Sequence, residues 1–233
     1  MHIRELAAEV LAESRLWTHE ELPFTTRFEP GHPRVLVIAG ENAAGKSLLA
    51  QSLTSWGRVH RKIAHISVSI RERTGSGTYE MAAMRRVMMF GDEGEQSTGA
   101  TSARVLETAF NTLHHRAEEN IPALLLLDEP ELGLSDGFAG AMGTYLATKL
   151  NEMPELACGA IVITHSRELV RHLAAGLPER PSFVKTGESA TLEEWLEGER
   201  ARTVEELLEL SAVGHARWAK VNAIMRALRA KQN

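Results

Sequence analysis

The chain of 233 residues is poor in several things, and each shortage narrows what it can be. It has one cysteine, Cys158, so it can form no intramolecular disulfide and no multi-cysteine zinc site. Its longest wholly aliphatic stretch, Ala123 to Leu127, is far shorter than the ~20 residues that span a bilayer. The N-terminal segment has no long apolar run followed by small residues, which argues against a secretory signal and for a cytoplasmic protein without a transmembrane segment of its own. Aromatics make up only 5%, so Leu, Ala, Val, Ile and Met must fill the core. There is no basic excess: 26 Lys and Arg stand against 31 Asp and Glu, a formal net charge of -5. That speaks against a protein built mainly to coat a polyanion.

What is present alternates between apolar runs and helical spacing. Ile3, Leu6, Ala7, Val10, Leu11, Leu16 and Trp17 predict a helix over 3–17. Strands are expected at Phe24 to Phe28, Val35 to Ala39, Ala64 to Ile70, Pro122 to Asp128, Ala160 to Thr164 and Phe183 to Lys185. Helices are expected at about Lys46 to Trp56, Tyr79 to Phe90, Thr101 to Glu118, Phe138 to Leu150 and Ser166 to Ala175. Continuous runs such as Val35–Ala39 suit strands buried on both faces. The order implies an α/β fold with a mostly parallel central sheet. The expected division is a main domain at 1–187, with a short helical lobe at about 72–118, and a C-terminal helical appendage at 188–233. In that appendage Thr191–Glu194 and Thr203–Glu206 have the spacing of capping boxes, so two helices should start there. Residues 188–209 carry eight acids and two bases, whereas 215–233 carry five Lys or Arg and no acid. The basic tail has Trp218, Val221, Ile224, Met225 and Leu228 at helical spacing and is expected to pack on its own domain with its basic face solvated, the alternative being that it lies on a partner or on DNA.

Gly40-Glu41-Asn42-Ala43-Ala44-Gly45-Lys46-Ser47 fits the pattern G-x-x-x-x-G-K-[ST]. Composition alone would produce such a match in roughly one of two hundred chains of this kind. This one also lies between an expected strand and an expected helix. Glycines let the backbone turn tightly, so that N–H groups of Asn42, Ala43, Ala44, Gly45 and the following Leu48 can face a phosphate. The helix start adds its positive end. Lys46 can reach the β- and γ-phosphates, and the Ser47 hydroxyl can ligate Mg²⁺. A second apolar strand ends in Asp128-Glu129. At the carboxyl end of such a strand Asp128 suits Mg²⁺ and Glu129 suits the polarisation of an attacking water. The implied cofactors are ATP and Mg²⁺. His114 and His115 are adjacent on a helix and point apart, so they make no shared metal site.

In order along the chain, these residues resemble the ATP-binding cassette (ABC) class of P-loop ATPases. Gly40–Ser47 resembles its phosphate loop, and Ser97-Thr98-Gly99-Ala100 a degenerate form of its signature motif. Leu124–Glu129 resembles its acidic strand with the catalytic glutamate, Gly133-Leu134-Ser135-Asp136 its aspartate-bearing loop, and Ile161–His165 the strand that ends in its switch histidine. The resemblance implies a head-to-tail homodimer, or pairing with a paralogue, that sandwiches two ATP molecules. Each would touch the phosphate loop of one subunit and Ser97 and Gly99 of the other. The chain departs from the family in having no glutamine after the second strand, where Ser67, Ser69 or Arg71 stands instead, and in placing no clear aromatic for the adenine. The wording DEPELGL and THS is closer to soluble members of DNA-repair, overcoming-lysogenisation-defect (OLD) and phage-defence types than to transporter subunits. The function so implied is a soluble ATPase that controls a separate effector protein. The alternatives are a DNA-binding repair ATPase, which leaves nucleic acid open as a partner, and the energy subunit of a transporter.

Overall fold

A computed structural model describes residues 1–69, 98–132, 134–198 and 201–230. Six strands form one sheet: β1 (Thr26–Glu29), β2 (His32–Gly40), β3 (Ala64–Ser69), β4 (Ala123–Asp128), β5 (Gly159–Ile163) and β6 (Pro181–Thr186). Their spatial order is β1-β6-β2-β5-β4-β3. β1 runs antiparallel to β6, and every other pairing is parallel. The expected α/β class with a mostly parallel sheet is therefore present. Only Pro30 and Gly31 separate β1 from β2. The His32 N–H donates to the Arg180 carbonyl at 2.7 Å and that of Gly31 to the Ser182 hydroxyl at 3.0 Å, so β2 starts pairing at His32.

Helices cover both faces, because the central strands are apolar on both. Along β2 the side chains of Leu36 and Ile38 join one core, while Val35, Val37 and Ala39 join the other. Strict alternation on a doubly buried strand requires this. The first core is closed by α1 (Ile3–Glu13) and α2 (Lys46–Arg61). On α1 the buried positions Ile3, Leu6, Ala7 and Val10 follow the i, i+3, i+4, i+7 rule. The helix ends sooner than its apolar spacing suggests: Ser14 leaves helical geometry, and Trp17 is buried from beyond the helix. The second core is closed by α3 (Thr98–Glu118), α4 (Ala139–Asn151) and α5 (Arg167–Gly176). Burial on this scale, at ~25 cal/mol per Å² of apolar surface, is the main force that fixes the layers.

The C-terminal segment forms α6 (Leu192–Glu197) and the long α7 (Val204–Ala230). Both expected capping boxes are formed. The Thr191 hydroxyl accepts from the Glu194 N–H at 3.1 Å, and the Thr203 hydroxyl from that of Glu206 at 3.2 Å. The carboxylates of Glu194 and Glu206 accept the reciprocal bonds, at 2.7 and 2.9 Å. Of the apolar face expected on α7, Val221 and Ile224 are buried. Trp218 departs from that expectation and is 51% exposed. The expected methionine-rich helix over 79–90 lies outside the described residues, as does the helical lobe up to residue 97.

Candidate functional site

All the parallel strands end on one edge of the sheet, and the chemistry-bearing residues gather there. β2 runs through Gly40 into the loop 41–45, and α2 starts at Lys46. Two residues of that loop turn the chain through left-handed geometry: Ala43 at φ 58° and Gly45 at φ 94°. Glycine is required at the second. A Cβ on Gly45 would meet the ring of Phe24 at 2.9 Å. The turn is closed by the Ala44 N–H on the Glu41 carbonyl at 3.2 Å, and the helix by that of Leu49 on Gly45 at 2.9 Å.

Lys46 is buried, and its ammonium donates to the carbonyls of Gly40 at 2.8 Å and Glu41 at 3.0 Å. Burial lowers its pKa to about 8, against the pull of Glu129, Asp128 and Glu41. The lysine is thus a desolvated cation satisfied by two neutral carbonyls, an arrangement in which an incoming polyanion would be strongly favoured.

Two strands away in the order, β4 delivers Asp128 and Glu129, and β5 between them delivers His165. Glu129 follows the strand with φ 52°, and its N–H donates to the Ile163 carbonyl at 2.8 Å. This bend carries its carboxylate across the end of β5, where Oε1 lies 3.2 Å from His165 Nε2. Beneath the pair, the buried Thr164 hydroxyl donates to Glu131 Oε1 and accepts from the Ser166 N–H at 2.9 Å. Burial raises the Glu131 pKa, and its other carboxylate oxygen is enclosed without a hydrogen-bond partner among the described residues. Ser166 caps α5 by accepting from the Leu169 N–H at 3.1 Å, so the histidine sits between a strand end and a fixed helix start.

A cavity of about 510 Å³ unites these groups. Loop residues Asn42 to Leu48 line it, together with Asp128, Glu129 and His165. Its size suits a small-molecule ligand. Ser47 and Asp128 offer hard oxygen donors, which match Mg²⁺, a cation that otherwise keeps water or phosphate oxygens. Among the described residues no group of three or more His, Cys, Asp or Glu could hold a metal ion by itself.

Other sequence-derived positions fare differently. Ser97 and Gly133 lie outside the described residues, Gly99 falls in the first turn of α3, and Asp136 opens a single 3-10 turn, Asp136–Phe138. Of the residues standing in for the missing glutamine, Ser69 is the register partner of Asp128, Ser67 pairs two residues further inside at Leu126, and Arg71 is outside the described residues.

Several lining residues carry no motif. Phe24, on the approach to β1, and Gln51, one turn into α2, face the same cavity. So do Gly214, Arg217 and Trp218 of α7. Arg217 donates to the Ala43 carbonyl at 3.0 Å, and Arg202, just before α7, pairs with Glu41 at 3.1 Å. Burial works against ionisation of Glu41, but the Arg202 hydrogen bond and charge outweigh it and hold the carboxyl below its usual range. Charge asymmetry along the tail was the only sequence signal for this contact.

No known family model matches the chain. No curated protein sequence matches it significantly.

Proposed function

We propose that the chain is an ATP hydrolase of the ABC class, and that it works in the cytoplasm as a head-to-tail dimer whose cycle controls a separate effector protein. The observation that carries the reading is the single cavity shared by loop 42–48, the Asp128–Glu129 pair and His165. The strand order supports it as well, since β5 alone separates the loop-bearing β2 from the acid-bearing β4, and ligands collect outside the carboxyl ends of such sheets. No helix among the described residues is long and apolar enough to cross a membrane.

In this reading the backbone N–H groups of the loop and the start of α2 receive the phosphates. Lys46 exchanges its bonds to the Gly40 and Glu41 carbonyls for bonds to phosphate oxygens. Ser47 and Asp128 would hold Mg²⁺, which when bound neutralises charge on the triphosphate. Glu129 orients the attacking water and takes its proton. As the water oxygen bonds to the γ-phosphorus, the bond to the bridging oxygen breaks and ADP leaves with the electron pair. His165 positions the Glu129 carboxylate.

The test is Glu129→Gln. Phosphate release should fall about 100-fold or more, as expected for loss of a positioned base. ATP binding should persist, and sedimentation should show a dimer that accumulates only with ATP. Hydrolysis by this variant at the parental rate would remove Glu129 from its role.

A further inference from the structure

The site reaches beyond the phosphate loop and strand ends to a helix some 170 residues further on. α7 crosses the outside of the loop and is tied to it at two points. Arg217 donates to the Ala43 carbonyl at 3.0 Å, and Arg202 bridges Glu41 at 3.1 Å and Glu206 at 3.2 Å. Between the ties the surfaces approach closely: a Cβ on Gly214 would lie 3.6 Å from that of Ala43. Arg217 is half-buried, and it borders both the 510 Å³ cavity and a neighbouring one of about 380 Å³ between the loop and α7. Trp218 lines the larger cavity yet is 51% exposed, which is an unusual way to leave a large apolar ring.

We propose that α7 is the outer wall of the nucleotide pocket, with Arg217 as a phosphate-binding cation and Trp218 as a ring that covers the bound nucleotide. The inference rests on the reading of loop 40–47 as a nucleotide site. Its chemistry is that of a triphosphate. The cavity already places Asp128 and Glu129 against Lys46, so further positive charge is needed to balance a polyanion, and Arg217 is the cation that α7 brings to the cavity wall. A guanidinium has five N–H donors in a planar fork. One of them is spent on Ala43, which holds the fork at the mouth of the loop. A ligand seated on the loop would then connect the main domain to α7, and nucleotide occupancy would be felt by the tail.

The experiment is a titration of the full chain with a fluorescently labelled ATP in the presence of Mg²⁺, alongside tryptophan emission with unlabelled ATP. Arg217→Ala and Arg217→Gln should each weaken binding tenfold or more, and Arg217→Lys should recover most of it. Gln keeps an N–H donor but has no charge, so parental affinity in Arg217→Gln would overturn the proposal. Gly214→Leu tests the wall without touching the charge. The leucine Cβ would meet Ala43 at ordinary contact distance, and the rest of the side chain would occupy the cavity that Gly214 lines; binding should weaken to a similar degree, whereas parental affinity would show that α7 forms no part of the pocket. ATP should change the tryptophan emission of the parent and not that of Trp218→Phe; an unchanged response in Trp218→Phe would remove the ring from the site. Lys46→Ala separates the role of the loop from that of α7. If it loses ATP while the Arg217 and Gly214 variants bind as the parent does, only the role of α7 fails. If Lys46→Ala binds as the parent does, the nucleotide reading of the loop fails. Circular dichroism confirms that each variant is folded.

Discussion

Nε2 of His165 lies 3.2 Å from Oε1 of Glu129, across the carboxyl ends of the neighbouring strands β5 and β4. Neither residue is placed by its own strand alone. Glu129 is bent over by a left-handed backbone step and anchored on the Ile163 carbonyl, two residues before the histidine. Two groups that act as a unit give non-additive losses. His165→Ala should therefore lower kcat for ATP by about 10- to 100-fold with little change in KM. Adding it to Glu129→Gln should cost almost nothing more. A steady-state double-mutant cycle reads this directly.

The φ of 52° at Glu129 is itself a testable cost. Left-handed geometry is unfavourable for a residue with a Cβ by ~1–2 kcal/mol, and glycine escapes the penalty. Glu129→Gly should be more stable than the parent by about 1 kcal/mol in urea unfolding, while hydrolysis is lost. Stability and activity moving in opposite directions is what a strained functional residue predicts.

Lys46 gives a proton-linked prediction. Its pKa of about 8 in the free protein means that much of the population is neutral at pH 8.5. A bound polyphosphate favours the charged form, so binding at pH 8.5 should take up protons, whereas binding at pH 6.5 should take up none at this residue. Calorimetry in buffers of different ionisation enthalpy measures the uptake. The sign for folding runs the other way. Below pH 8 the lysine is charged both folded and unfolded, and its burial is a cost. Between about 8 and the unfolded value the unfolded chain holds the extra proton, so this cost to folding shrinks as pH rises.

Glu131 carries the opposite linkage. Burial raises its pKa, and one of its oxygens has no partner among the described residues. Such a carboxyl favours folding fully below its unfolded pKa, and loses that contribution as pH rises through the folded value. Glu131→Gln should therefore be as stable as the parent or more so at pH 7, with the advantage shrinking toward pH 4.5. Thr164→Val should instead destabilise by about 1–3 kcal/mol, because it leaves Glu131 and the Ser166 N–H without the hydroxyl they share. Urea midpoints across pH distinguish the two.

Much of this arrangement is legible along the chain because its signals are local. Val35–Ala39 and Leu124–Leu127 read as doubly buried strands since both faces of the sheet are covered, and the capping boxes at Thr191 and Thr203 are complete within four residues. Gly45 could be read as a turn residue, but the reason for it, the Phe24 ring, is 21 positions away and shows no pattern. Arg217 and Trp218 were harder still. On a helical wheel Trp218 shares a face with Val221 and Ile224, and only those two are buried. Helical periodicity tells which residues share a side, not whether that side meets a core or a cavity. The strand order was also hidden, since nothing local in β5 places it between the loop-bearing and acid-bearing strands.

If loop 40–47 holds ATP for attack by water at Glu129, hydrolysis must depend on both Lys46 and Glu129. Phosphate release from ATP and Mg²⁺ by the parental chain, run beside Lys46→Ala and Glu129→Gln, tests it most directly. The expected result is turnover by the parent, no binding by Lys46→Ala, and binding without turnover by Glu129→Gln. Binding and turnover that are the same in all three would contradict it.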